Sequence, residues 1–386
     1  MQLNYSNKKT EKEILDSIPN VNLHQLNSSS SKNILINANN LVALKQLVTT
    51  HNLKGKIDLI YIDPPFATNN TFTILNGRAN TISNSSNGTV AYKDTLKGAD
   101  FIEFLRERLV ILNMLLSDKG SIYLHIDYKI GHYVKVMMDE IFGIENFKND
   151  ITRIKCNPKN FERKGYGNIK DMILFYSKSD NLIWHEPKTT YTEEDKLKLF
   201  PKKDKEGRHY TTIPLHAPGE TKSGKTSQAF KGILPPTGRH WRSEVKVLEQ
   251  LDNDGLIEWS NNGNPRKIIY FDEQEGKRMQ DIWELKDPQY PVYPTEKNAE
   301  LLDIIIRTSS NEDSIVLDCF CGSGTTLKAA HLNGRHWIGI DQSEEAIKST
   351  TTKLNDIEGD LFVSQAEFQL WTGEVLSTSN QSFVHS

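Results

Sequence analysis

Across the first 150 residues the apolar positions switch between short continuous runs and helical spacing. Ile34-Leu35-Ile36 and Ile57-Asp58-Leu59-Ile60-Tyr61-Ile62 are near-continuous, as in strands that a parallel sheet buries on both faces. Leu41, Ala43-Leu44 and Leu47 predict a helix, as do Phe101, Phe104-Leu105, Leu109, Leu112 and Leu115-Leu116. After an Asp118-Lys119-Gly120 turn, residues 121–127 read as a strand and 128–141 as a helix. The resulting βαβαβα order predicts a parallel sheet. From about 150 to 290 the rhythm breaks down, with Pro, Gly and basic residues around short apolar runs at 172–176 and 268–271. It returns with a helix at 296–308, a strand at 314–317, a helix at 325–333, a strand at 337–340 and a helix at 343–354.

These patterns divide the chain into a loosely held polar N-terminal arm (1–31), an α/β domain in two pieces (32–150 and 291–372), an irregular insert (151–290) and a polar C-terminal tail (373–386). Residues 67–99, rich in Asn, Thr, Ser and Gly with little period, are expected to form a long mobile loop. No internal repeat is visible.

Charge sharpens the reading of the insert. The net charge of −3 is neutral evidence, but residues 151–250 hold 20 Lys and Arg against 12 Asp and Glu. A basic segment in an acidic frame is what a phosphate-contacting insert looks like, and a solvated lysine-rich surface looks the same. Three cysteines, Cys156, Cys319 and Cys321, are too few for a disulfide framework or a zinc site. With no run of eighteen apolar residues and a polar N-terminus, a cytoplasmic protein away from membranes is expected.

The first candidate chemistry follows the strand at 57–62. Asp63-Pro64-Pro65-Phe66 ends it, and two prolines without backbone N–H groups force a stiff exit from the sheet. A carboxylate, an unpaired proline carbonyl and an aromatic ring thus meet at a strand's carboxyl end, where open α/β sheets bind ligands. Carboxylate and carbonyl can both accept from one amino group while Phe66 offers a stacking face; the exocyclic amine of a nucleobase fits.

The second lies at residues 314–326, where Asp318-Cys319-Phe320-Cys321-Gly322-Ser323-Gly324-Thr325-Thr326 leads from a strand through a glycine turn into a helix. The next strand ends in Gly339-Ile340-Asp341, so Asp341 can accept ribose hydroxyls, the logic of nucleoside cofactors in Rossmann-like sheets. The dinucleotide fingerprint needs a third glycine, absent here. Asp318 would repel a pyrophosphate yet pair with an amino-acid ammonium, which favours S-adenosylmethionine over NAD.

The two motifs together resemble the DNA amino-methyltransferases. Their order, acceptor motif first and cofactor loop last, resembles the β class found in modification subunits of restriction systems. Echoes extend over Asn33 to Leu47, Tyr92-Lys93-Asp94, Arg108-Leu109, Gly120 to Asp127, Gly232 to Trp241, Tyr293-Pro294-Thr295-Glu296-Lys297 and Gly334 to Asp341. The resemblance implies a circularly permuted Rossmann-like α/β fold whose insert recognises the DNA target. It implies catalysis by Asp63, Pro64, Pro65 and Phe66. It assigns S-adenosylmethionine binding to Asn39, Lys297, Asp318, Phe320, Gly322, Gly324, Thr325 and Asp341. Double-stranded DNA is the implied substrate, with Lys222, Lys225, Arg239, Trp241 and Arg242 as its contacts and no metal. A cognate restriction endonuclease and a second copy of the chain are the further partners it suggests. Asn39 departs from the family, which often has Asp there to bind the cofactor's adenine amine; its amide oxygen can still accept. Phe66 replaces a commoner tyrosine, keeping the stacking face.

Other readings compete. Gly219-Glu220-Thr221-Lys222-Ser223-Gly224-Lys225-Thr226 matches the P-loop pattern, but prolines on both sides deny it the strand and helix that the mechanism requires. His125 and His132 lack a second ligand at zinc spacing and read as packing or hydrogen-bonding residues. Transfer to the 4-amino group of cytosine is disfavoured because serine usually stands at the Asp63 position there. A nicotinamide oxidoreductase and a non-catalytic DNA-recognition protein are the remaining rivals.

Overall fold

The computed structural model describes residues 2–19, 21–65, 98–158, 162, 164–287, 297–357 and 365–374, together with the strand backbone at 71–75, 78–82 and 89–93. The chain divides into two compact units, one formed by 1–187 with 280–386 and the other by Lys188–Met279.

The larger unit is built on a ten-stranded sheet: β1 (Asn22–Gln25), β2 (Ile34–Asn37), β3 (Ile57–Ile62), β4 (Leu116–Ile126), β5 (Phe147–Ile154), β6 (Lys170–Ser177), β7 (Ile282–Trp283), β8 (Ile315–Asp318), β9 (His336–Asp341) and β10 (Gln369–Glu374). Their order across the sheet is β1-β10-β2-β9-β8-β3-β4-β6-β5-β7. From β10 to β4 all neighbours are parallel; β6 is antiparallel to β4 and β5. The unit's helices are α1 (Glu11–Ser17), α2 (Asn40–Thr49), α3 (Gly98–Leu115), α4 (Tyr128–Phe142), α5 (Ala299–Ser309), α6 (Thr325–Leu332) and α7 (Glu344–Asn355). The continuous apolar runs are buried as expected, Leu59, Ile60 and Ile62 completely. Ile36, Ile60 and Ile62 share one core with Leu44 and Leu47 of α2 and Leu105, Leu109 and Leu112 of α3.

The structure differs from the sequence pattern at five places. Residues 67–99 are not one loop. Thr71–Leu75, Arg78–Ile82 and Thr89–Lys93 form a three-stranded antiparallel sheet, a pairing that β-branched Thr, Ile and Val favour over the local Asn and Gly content. Asp118-Lys119-Gly120 lies within β4, where the register against β3 jumps between Ile57–Leu116 and Leu59–Ser121; the turn signal marks an irregularity inside a strand.

The N-terminal arm is tied down. Ile14 is wholly buried, Tyr5 donates to Glu103 on α3, and Lys8 pairs with Glu140 on α4 at 2.7 Å. Its polar side chains read as solvent-facing in sequence because their partners lie some hundred residues away. The insert is also smaller than 151–290. β5 and β6 belong to the main sheet, and Ile173 and Leu174 lie in its interior. Likewise the C-terminal boundary at 373 falls within β10, which pairs with β1; residues 375–386 lie outside the described residues.

The smaller unit holds a four-stranded sheet in the order Lys202–Lys203, His209–Pro214, Pro265–Tyr270, Ile257–Trp259. A hairpin of His216–Pro218 with Arg239–Trp241 and helices at Glu193–Leu199 and Val245–Asn253 complete it. Its core is Leu215, Phe230, Trp241 and Leu248. The P-loop-like segment follows a three-residue strand and leads into no helix, so it cannot present a helix N-terminus to phosphate. Among the described residues of both units, no helix is long and apolar enough to cross a membrane.

Candidate active site at the strand ends

The direction of winding reverses between β8 and β3. From β8 the chain passes through α6 to β9 on one side, and from β3 it passes through α3 to β4 on the other. The carboxyl ends of β8 and β3 therefore part around a crevice, where open α/β sheets bind ligands. Val316 aligns with Leu59 and Leu317 with Ile60, which brings Asp318, at the end of β8, and Asp63, just beyond β3, to the same sheet edge.

The glycine turn after β8 is held by its own acids. Asp318 accepts from the Phe320 N–H at 3.0 Å and the Thr326 hydroxyl at 2.6 Å. Asp341 accepts from the N–H groups of Gly322 at 3.0 Å and Ser343 at 2.9 Å. Gly324 caps α6 at φ 74°, and a Cβ there would lie 2.7 Å from Thr350, so both conformation and space demand glycine. On β9 a Cβ at Gly339 would meet Leu327 of α6 at 2.3 Å. The close helix–strand packing that a third fingerprint glycine would allow is thus supplied by the neighbouring strand. From below, Asn40 donates to the Cys319 carbonyl at 2.8 Å and accepts from Arg108 at 2.7 Å. Arg108 in turn stacks over Phe104, which packs against Phe320.

Burial pushes the Asp318 carboxyl up to about 7, against the lowering effect of its two hydrogen bonds. Burial likewise raises Asp341, while its backbone donors pull it back. A crevice lined by two such acids favours a ligand that carries positive charge.

On the β3 side, Lys297 Nζ lies 2.8 Å from Asp63 Oδ2. Asp63 Oδ1 is buried and has no hydrogen-bond partner among the described residues. His125 Nδ1 stands 3.9 Å from it, at the end of β4. That ring nitrogen is instead 3.0 Å from the Tyr61 hydroxyl, and Nε2 is 3.2 Å from Asp171 Oδ2 on β6. Asp171 also meets Lys155 at 2.5 Å and Arg153 at 3.8 Å. Burial and then the Lys297 charge lower the His125 pKa, so the imidazole is neutral. Burial would raise Asp171, but His125 and Lys155 outweigh it and hold the carboxylate well below its usual range. An ionised carboxylate only accepts, so the His125 proton sits on Nε2 and Nδ1 accepts from Tyr61.

Comparison with known proteins agrees with this architecture. Residues 57–352, from the strand before Asp63 to the helix after Asp341, match the DNA methylase family. The chain belongs to the DNA methylase family. The type II methyltransferase M.EcaI of Enterobacter cloacae is 39% identical over 328 residues, covering 83% of this chain and 69% of that protein. The type III restriction-modification enzyme StyLTI Mod subunit of Salmonella typhimurium is 26% identical over 360 residues, 84% of this chain, and this chain spans 54% of its length. The crystal structure of the M1.HpyAVI–SAM complex matches over 83% of this chain and 100% of that one, at 18% identity and a TM-score of 0.42.

In this methylase the two sequence-predicted constellations face one crevice, and several individual residues stand differently from expectation. Lys297, grouped with the cofactor residues, ion-pairs with Asp63. The Asn39 amide oxygen, expected to accept from a cofactor amine, accepts the Leu41 N–H at 3.0 Å as the N-cap of α2, leaving one lone pair. The Thr325 hydroxyl is within 3.0 Å of Lys353 Nζ. Pro64 is buried and Pro65 partly so; Phe66 and the motif residues Asp94 and Tyr293 to Glu296 lie outside the described residues.

In the smaller unit, Trp241 is not placed to contact DNA as the resemblance implies. It is wholly buried, donates through Nε1 to the Gln228 carbonyl at 2.9 Å and packs against buried Phe230. Lys222 is exposed; Lys225, also exposed, is paired with Glu244 at 3.0 Å. Arg239 lies 3.2 Å from His216 Nδ1, and Arg242 donates to the Pro214 carbonyl at 3.1 Å.

Tyr61, Asp171, Lys155 and Asn40 were not singled out by sequence reasoning, and His125 only as a packing or hydrogen-bonding residue. The available signal was period two: Tyr61 and Asp63, like Tyr123 and His125, share one face of adjacent strands.

The Asp318 environment predicts a pH-dependent stability. Its folded pKa, about 7, lies above the unfolded value of about 3.9. Between these values the folded state holds the proton more tightly, so this group's contribution falls as pH rises from about 4 to 8. Ligand-free wild type should lose stability relative to Asp318→Asn over that range, by on the order of a few kcal/mol in denaturant titrations. Parallel pH profiles for the two proteins would show that Asp318 does not titrate there.

Proposed function

We propose that the protein transfers a methyl group from S-adenosylmethionine to the exocyclic 6-amino group of an adenine flipped out of double-stranded DNA, as the modification component of a restriction-modification system. The observation that carries this reading is the Asp63 carboxylate, one oxygen held by Lys297 and the other buried without a partner among the described residues. A buried acceptor left unsatisfied costs stability unless a ligand completes it. An amine hydrogen is such a ligand, with the Pro64 carbonyl as the acceptor for the second hydrogen. Aspartate at the head of this motif resembles the adenine-specific enzymes, whereas serine is usual in those acting on cytosine.

The residues opposite fit S-adenosylmethionine. Asp318 offers a buried carboxylate to an ammonium, Asp341 retains lone pairs for ribose hydroxyls, and Gly322 and Gly324 leave the turn open to close approach. Bound there, the cofactor supplies a methyl group on a sulfonium whose sulfur keeps the electrons of the broken bond. The chain's own residues do the rest. The amine is a weak nucleophile because its lone pair is delocalised into the ring. Accepting both hydrogens draws the nitrogen towards tetrahedral geometry and aims the lone pair out of the ring plane. When nitrogen gains the methyl group it sheds one proton, and Asp63 supplies the base to receive it. Positioning and preorganised charge therefore account for most of the acceleration.

The Lys188–Met279 unit is the proposed target-recognition region. It contains 17 Lys and Arg against 14 Asp and Glu, a smaller excess than in residues 151–250. Several of these cations are internally paired, Arg208 with Asp272 and Glu273, and Lys277 with Asp195. Phosphate contact thus falls to the exposed subset, including Lys222. A partner endonuclease and a second copy of the chain remain part of this proposal.

Asp63→Ala should lower methyl incorporation into DNA by about 10²-fold or more, the scale of a lost transition-state contact. Calorimetry should show S-adenosylmethionine affinity nearly intact, because Asp63 faces the acceptor. Activity within a few-fold of wild type would remove Asp63 from catalysis. For the recognition unit, DNA affinity should fall steeply with salt, and Lys222→Ala should reduce the slope by about one unit. An unchanged slope and affinity would place the DNA path away from that lysine.

A further inference from the structure

Lys297 stands immediately before α5, is nearly buried, and directs its ammonium to Oδ2 of Asp63 at 2.8 Å. Among the described residues Oδ1 of the same carboxylate has no donor, although a histidine nitrogen stands 3.9 Å away. That histidine is prevented from donating. Its single proton is committed through Nε2 to Asp171, and its Nδ1 lone pair receives the Tyr61 hydroxyl. Asp171 is in turn fixed by Lys155, with Arg153 close by. Five groups on β3, β4, β5 and β6 thus hold one acceptor position vacant on Asp63, while a sixth, Lys297, fills the other.

We propose that Lys297 is a positioning residue of methyl transfer, tethering Oδ2 of Asp63 so that Oδ1 alone is presented to the target amine. The role rests on the proposed function. It goes beyond it by moving Lys297 from the cofactor's side of the crevice to the acceptor's side. An ammonium in contact with a largely buried carboxylate does two things. It fixes the carboxylate's rotation, so that the remaining lone pairs point one way. It also occupies Oδ2, so that Oδ1 is the oxygen left to accept. The other groups facing Asp63 cannot replace it. His125 is neutral and turned towards Asp171, Tyr61 is engaged by His125, and Asp318 brings negative charge of its own.

The test compares wild type with Lys297→Met, Lys297→Gln and Lys297→Arg as full chains. Single-turnover incorporation of labelled methyl groups into unmethylated bacterial DNA is followed at pH 7. S-adenosylmethionine and DNA affinities are measured by calorimetry on the same preparations. Thermal unfolding is checked first, and Lys297→Gln stands in if Lys297→Met does not fold.

Loss of the cation should slow transfer by about 10²-fold at pH 7. The loss should lie in the transfer step, with DNA affinity within about three-fold of wild type. Cofactor affinity should stay within about three-fold of wild type, and arginine should restore part of the rate at pH 7. A parallel loss of cofactor affinity and rate would return Lys297 to the cofactor site and overturn the proposal. So would variants with wild-type rate. A wild type that transfers no methyl group to DNA would instead overturn the proposed function, and this role with it.

Discussion

Two acids, Asp63 and Asp318, stand at one sheet edge, and negative charge on Asp63 adds to the burial that makes Asp318 hard to ionise. Among the described residues, Asp63 has an ion pair with a lysine and Asp318 has none. Lys297 pairs with Asp63, whereas Asp318 accepts from a hydroxyl and a backbone N–H and has its carboxyl pushed up to about 7 by burial. The missing positive charge is what a ligand bearing an ammonium and a sulfonium would bring.

The scaffold exists to set those acids at one edge. Neither β3 nor β8 alone makes a site; the reversal of winding between them does. Local sequence then shapes each end. Two prolines expel the chain from β3 directly after Asp63, and Gly324, in a left-handed conformation against Thr350, turns it into α6 after Asp318. Gly339 lets α6 approach β9, and the Asn40–Arg108–Phe104 chain supports the turn from the far side.

Much of this was legible in the sequence because burial on both faces writes itself as continuous apolar runs, and because strand-end motifs need particular residues. The helix and strand order of the α/β domain and the meeting of the two motifs followed from those signals. What escaped was long-range. The polar arm looked free because Glu103 and Glu140 lie far along the chain. Lys170 and Asp171 beside an apolar run disguised β6 as part of the insert, when Asp171 is the buried anchor of His125. Trp241 sits between His240 and Arg242, which made it look like part of a nucleic-acid surface, yet its ring is the centre of a small core. Lys297 carried no local sign of its partner, since an ion pair between residues 63 and 297 exists only once β3 and α5 are packed.

The proposed function requires Asp63 to present adenine's amine, rather than cytosine's, for methylation. The direct measurement is mass spectrometry of nucleosides from unmethylated bacterial DNA after incubation with the protein and S-adenosylmethionine bearing a deuterated methyl group. The label is expected in N6-methyladenine. Label in N4-methylcytosine, or none in DNA, would contradict it.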